Sequence, residues 1–258
     1  MVSARWYCLS LAFCLTPAVP AQDSLAKAAD LPARSEPATP PIPLTPENRG
    51  DILMARKMYR EAADMYKQGP LDSAVIENKI GIAYHQMLQL NLAKKYYERS
   101  VKIDPKYAEA VNNLGTIYYS KKSYRHAVRL YKRALRLSPN SASIYSNLGT
   151  AYFARKNYKG ALECYQKALS IDPDVFEHRS SWGVLLQERT VEERAKFHFY
   201  LARIYAKAGM NDRALIYIRK ALEEGFTERK RLLEDPEFAA VRKMPEFQQL
   251  ITTEPRVL

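Results

Sequence analysis

Glycine and cysteine are both scarce in this sequence, with nine and three copies in 258 residues. Few glycines suit helices better than an all-β fold. Cys8 and Cys14 fall in the first 21 residues, so a chain trimmed there keeps only Cys164 and forms no internal disulfide. Cys164 has no sequence-local histidine or helix N-terminus to activate it and reads as a packing residue. After the leader, no stretch approaches the roughly 20 apolar residues of a membrane span. Catalytic signatures are missing too: no phosphate-binding glycine loop, no His-Glu-x-x-His, no Gly-x-Ser-x-Gly. The four histidines (His85, His126, His178 and His198) lack ligand spacing, although His178 and His198 flank one segment and could meet. The reading is therefore no enzyme, no metal, no cofactor and no evident small-molecule substrate.

What is present is apolar, basic and rich in tyrosine: 47% hydrophobic residues, a formal net charge of +12 and 18 tyrosines against 8 phenylalanines. Residues 1–21 have the layout of a secretory signal. Arg5 is followed by the apolar run Trp6 to Leu15 and by small residues at Val19-Pro20-Ala21 before Gln22. A lipoprotein signal ending at Cys14 fits less well, because Phe13 is large where a small residue belongs. The expectation is export to the periplasm or beyond, with the leader either cut or kept as an anchor. Residues 22–45 form a linker in which Pro32, Pro37, Pro40, Pro41 and Pro43 exclude a helix. Thr45-Pro46-Glu47 then marks a helix start. The apolar spacing of Ile52, Ala55, Tyr59, Ala62, Ala63 and Tyr66 predicts one helix running to about Lys67, within an N-terminal segment 46–72.

Next comes an internal repeat. Gly81, Gly115 and Gly149 are 34 residues apart, as are Tyr84, Tyr118 and Tyr152; Ala93, Ala127 and Ala161; Tyr97, Tyr131 and Tyr165; and Pro105, Pro139 and Pro173. Each unit reads as two helices, A and B, joined by a short polar turn. Glycine and alanine let the two backbones approach, tyrosines fill the remaining space, and the prolines end each B helix. One hairpin cannot bury its apolar face alone, so the units must stack.

These columns resemble the tetratricopeptide repeat. Its pattern is met in full by Leu114, Gly115, Tyr118, Ala127, Tyr131, Ala134 and Pro139, and by Leu148, Gly149, Tyr152, Ala161, Tyr165, Ala168 and Pro173. The repeats are 74–107, with Ile80 and Ser100 as departures, then 108–141 and 142–175. A divergent fourth, 195–228, carries Leu201, Ala202, Tyr205, Gly209, Ala214, Ile218 and Ala221. It lies out of phase behind an irregular helical insert, 176–194, containing Trp182-Gly183. Thr190 and Glu193 form a capping box that starts a helix at about 191. Either 176–188 pairs with 191–208, or 191–208 opens the fourth repeat. The tail 229–258, with Phe238, Val241, Phe247, Leu250 and Ile251, reads as a closing helix. The resemblance implies an all-α, right-handed α-solenoid of stacked helix-turn-helix hairpins with a C-terminal capping helix.

It also implies a protein-binding scaffold whose A helices line a concave groove for a peptide or protein segment. Carried over by position, the groove residues are Asn78, Ile82, His85, Asn112, Thr116, Tyr119, Ser146, Thr150, Phe153, Phe199 and Arg203. Tyr119 and Phe153 are expected outside the core as anchors, and Tyr118 inside it. The carboxylate clamp of chaperone-binding members is matched by Asn113 alone, which argues against that specialisation. An alternative surface is a basic column on the B helices: Arg99, Arg133, Lys167 and Lys220, with Arg125, Arg129 and Arg136 on the second of them. It suits an anionic polymer, an envelope polysaccharide or nucleic acid, on the convex side.

Overall fold

The computed structural model describes residues 44–70, 72–177 and 190–252. The leader, nearly all of the proline-rich linker, most of the insert (with His178 and Trp182-Gly183) and residues 253–258 lie outside the described residues. Among the described residues there are twelve α-helices and no strand. They are α1 Pro46–Ala55, α2 Tyr59–Tyr66, α3 Ala74–Gln86, α4 Leu90–Ile103, α5 Ala108–Ser120, α6 Tyr124–Leu137, α7 Ala142–Ala154, α8 Tyr158–Ile171, α9 Val191–Lys207, α10 Asn211–Glu223, α11 Arg229–Glu234 and α12 Pro245–Thr252. Two 3₁₀ turns, Pro236–Phe238 and Val241–Lys243, separate the last two.

Helices pair as consecutive hairpins, and each B helix packs on the next A helix. In addition α3 touches α5 and α5 touches α7, so the A helices form one wall. Three repeats of the glycine–tyrosine crossing hold the hairpins shut. A Cβ built on Gly81, Gly115 or Gly149 would lie 2.6, 2.7 or 2.5 Å from the ring of Tyr97, Tyr131 or Tyr165. Those rings are fully buried. The tyrosines of the other column, Tyr84, Tyr118 and Tyr152, are only half-buried. Each lies under a lysine of the preceding hairpin: Lys67, Lys94 and Lys132 stand 5.3, 5.4 and 5.7 Å from the ring centroids. Tyr118 is thus a seam residue between hairpins rather than a full core residue.

The single helix expected over 46–67 is a hairpin instead. The chain reverses at Arg56–Met58, where Lys57 takes φ 61°. Gly50 then faces Tyr66 in the same crossing, its Cβ position 2.3 Å from the ring. The fourth hairpin keeps the crossing with different residues: Ala202 stands in the glycine column and Ile218 in the tyrosine column, both buried. Here α9 pairs with α10, which settles the two pairings left open by the sequence. Thr190 Oγ1 accepts from the Glu193 N–H at 3.2 Å, and the helix begins at Val191.

An aromatic cluster carries the core across the insert. Phe197 meets Phe153 and Tyr165 edge-on, Phe176 bridges Tyr165 and Tyr205, and Tyr200 stacks on Tyr158. The closing segment is broken into α11, two 3₁₀ turns and α12 rather than one helix, yet Phe238, Val241 and Phe247 are buried in the same core. Ion pairs fasten it to α9, among them Arg203 Nε to Asp235 Oδ2 at 2.8 Å and Lys196 Nζ to Glu228 Oε1 at 3.7 Å.

Candidate functional site

The A-helix wall carries a line of asparagines. Asn147 Nδ2 donates to Asn112 Oδ1 at 3.0 Å, and Asn113 Nδ2 donates to Asn78 Oδ1 at 3.0 Å. Asn112 Nδ2 reaches Asn113 Oδ1 at 3.4 Å and joins the two steps, and Asn78 Nδ2 ends the line at the Tyr107 hydroxyl, 3.5 Å away. Each long step spans 35 residues, one repeat plus one position. The line thus crosses from α7 to α5 to α3. An amide has two donors and an acceptor with two lone pairs, so one or two ladder bonds leave capacity for a ligand. Asn112, Asn113 and Asn147 are half-buried, while Asn78 is buried.

Other expected groove residues lie elsewhere. Tyr119 and Phe153 are each 5% exposed and belong to the core, which corrects the expectation that they stand outside it. The reason is crossing geometry: at this point α5 and α7 face the N-terminal turns of α6 and α8. The two rings nevertheless come together, lining one hollow of about 460 Å³ with Tyr124 and Tyr158. Sequence reasoning missed those two tyrosines, although they too are 34 residues apart. Thr150 and Ser146 are buried, and the Thr150 hydroxyl pairs with Tyr165 Oη at 3.1 Å. Thr116, half-buried, accepts from Tyr131 Oη at 3.2 Å. Phe199 is fully buried, stacked on Phe226 at 4.6 Å, and Arg203 is held by Asp235. These last three repeat positions are therefore structural here: α11 and the 3₁₀ turns cover the face of α9 that a groove would need. Ile82, His85, Asn112 and Thr116 remain half-buried on the wall.

Titratable groups near the wall are few. Burial holds the His85 imidazole below its ordinary pKa. It does the same to His198 against the opposing pull of Glu224, whose Oε2 lies 2.6 Å from Nδ1. The Cys164 thiol is pushed up to about 11 by burial, which leaves it protonated at neutral pH. Among the described residues, no group of three or more His, Cys, Asp or Glu is placed to hold a metal ion. None of the described helices is long and apolar enough to cross a membrane.

The basic column is spread over separate hairpins. Arg99 lies over the Tyr96 ring, Arg133 donates to the Pro105 carbonyl at 2.7 Å, Lys220 covers Tyr217, and Lys167 is exposed. Arg125, Arg129 and Arg136 are exposed together on α6.

Residues 78–107 and 142–175 match family models for the tetratricopeptide repeat, and residues 115–154 match a third, described as a TPR repeat. The chain carries tetratricopeptide repeats. It is, in general terms, a protein-interaction scaffold of that kind, a class that is typically non-enzymatic. Comparison with curated proteins gives no match. Among solved structures, a crystal structure of MamA is 23% identical, with 70% of this chain and 96% of that chain covered and a TM-score of 0.47. MamA from residue 41 onward, from Desulfovibrio magneticus RS-1, is 20% identical, with 72% and 94% covered and a TM-score of 0.48. At these values the likeness says nothing about what this chain binds.

Proposed function

We propose that this repeat protein is a non-enzymatic scaffold that holds an extended peptide or protein segment along α3, α5 and α7, outside the cytoplasm. The observation that supports it most directly is the asparagine line, which runs across three hairpins. An extended peptide presents a donor and an acceptor at every residue, roughly 3.3 Å apart. Asparagine amides offer both kinds of partner and are indifferent to the peptide's side chains. Fixed in a ladder, they lose little rotamer freedom when a ligand arrives, which favours binding. Export rests on the reading of residues 1–21 and is tested by N-terminal sequencing of the envelope-located protein.

The groove is tested by selecting ligands from a random-peptide library. Selected peptides are expected to bind Asn112→Leu and Asn147→Leu variants at least tenfold more weakly, about 1.4 kcal/mol. Binding should be nearly insensitive to salt, since the wall is uncharged here. Peptides that bind both variants as well as the parent protein would place the ligand elsewhere.

A further inference from the structure

The excess positive charge is concentrated in one stretch. Residues 110–162 contain ten Lys and Arg and no Asp or Glu, against a whole-chain net charge of +12. Four of these cations are gathered at one place. Lys122, Arg125, Arg129 and Arg155, with His126, line a single open hollow of about 690 Å³ between the α5–α6 turn, the first half of α6 and the end of α7. All five are exposed, and no carboxylate stands among the lining residues.

Cations elsewhere on the surface are commonly paired: Lys79 with Glu47 and Asp51, Arg194 with Glu224, Arg203 with Asp235, Arg213 with Asp174. Among the described residues, Lys122, Arg125, Arg129 and Arg155 have no such partner. Four like charges around one hollow repel one another, and an anion placed between them removes that repulsion. The hollow also receives the start of α6. This 14-residue helix has no acidic residue in its first turn and no side-chain cap on its N-terminal N–H groups. Its dipole and free donors add to the same field.

We propose that this hollow binds a ligand carrying two or more closely spaced phosphate groups. Guanidinium forks match phosphate oxygens two at a time, and three arginines from two turns approach one volume from different directions. One phosphate would leave most of that charge unmet, whereas a short phosphate chain meets all of it. The chemistry separates this ligand from the other polyanions. Surface-bound membrane helices set exposed Trp, Phe or Leu beside their cations, and single-stranded nucleic acid is held by exposed aromatic platforms. The hollow offers neither: its one aliphatic residue, Val128, is 6% exposed.

Inorganic tripolyphosphate, titrated calorimetrically into the full chain, is the direct probe. It is expected to bind more tightly than orthophosphate, with affinity falling as salt is added. Arg125→Gln, Arg129→Gln and Arg155→Gln together are expected to weaken it at least tenfold. A control of equal charge change, Lys95→Gln, Arg219→Gln and Lys243→Gln, should move it less than twofold. Melting is followed for each protein, and single Arg125→Gln and Arg155→Gln variants carry the test if the triple variant melts early. Equal loss in both triple variants would mean a diffuse field instead of a site and would overturn the proposal. So would absence of tripolyphosphate binding, whether or not phosphatidylglycerol vesicles or a single-stranded oligonucleotide bind in its place.

Discussion

The ring of Tyr131 fills the space in which a Gly115 side chain would stand: a Cβ there would fall 2.7 Å from Tyr131 Cε1. The same relation holds between Gly149 and Tyr165 at 2.5 Å, where the Ala161 carbonyl is also 3.2 Å away. Alanine would gain about 1 kcal/mol of helix propensity at either glycine. Overpacking a buried crossing costs about 1–3 kcal/mol, and the neighbour is a ring locked in the core, so the clash wins. Gly115→Ala and Gly149→Ala should each lower the urea midpoint. The fourth hairpin suggests the compensation, since Ala202 there faces Ile218. Adding Tyr131→Ile to Gly115→Ala should therefore destabilise by less than the sum of the two single changes. Strict additivity would show that the ring does not limit the approach.

The hairpins from 74 onward were legible because their crossing and ending residues recur at a fixed period. The hairpin at 46–66 follows the same rule, with Gly50, Ala62 and Tyr66 spaced as Gly81, Ala93 and Tyr97 are. It was hidden for a physical reason. Its turn carries no glycine, and apolar spacing runs on through the turn as if one helix continued. The candidate site was less legible. Position in the repeat identifies the A-helix wall, but whether Tyr119 or Phe199 faces a groove or a neighbour depends on what α9, α11 and the 3₁₀ turns cover. No local signal carries that. The bonding partner of each asparagine lies 35 residues away, beyond any local pattern.

The hairpin turns carry a further, measurable strain. Lys57, Leu88, Lys122 and Lys156 all take φ near +60° at the same place, where the fourth hairpin has Gly209 at φ 76°. A side chain in this left-handed region costs about 1–2 kcal/mol, partly offset by the greater freedom glycine has when unfolded. Leu88 is 67% exposed, so little packing is lost there. Leu88→Gly should stabilise the chain by about 0.5–1 kcal/mol. Gly209→Ala should destabilise it by a similar amount, although its Cβ would meet nothing within 4 Å. Unchanged denaturation midpoints for both would remove strain as the explanation.

Phe153 is edge-on to Phe197 and Tyr200, and its loss should open a cavity. Phe153→Ala is expected to cost about 3–5 kcal/mol. Tyr118, half-buried and stacked on His126 at 5.3 Å, should cost less on truncation. This order reverses the one suggested by repeat position alone. Equilibrium unfolding of the two variants decides it.

Glu77 is the least comfortable charge on the wall side. Its side chain is 4% exposed, Oε2 has no hydrogen-bond partner, and Arg99 Nη1 is 3.9 Å from Oε1. Burial raises its pKa, with Arg99 pulling the other way. The first turn of α3 also favours a negative charge, by about 0.3–1 kcal/mol. The net direction is upward, so burial outweighs both. The unfolded chain therefore releases this proton at lower pH than the native chain does. Stability from this group is greatest below the unfolded pKa and declines as pH rises toward the higher native value. At pH 7 the carboxylate is a liability, since a buried polar group without a partner costs about 1–3 kcal/mol and a charged one more. Glu77→Gln keeps the shape and removes the charge, so it should raise stability at pH 7 by about 1 kcal/mol. The gain should shrink as the pH is lowered toward 4, where the native carboxyl is itself protonated. Urea denaturation of both proteins at several pH values reads this directly. A variant that is less stable at pH 7 would mean that the Arg99 contact, despite its length, contributes more than burial takes away.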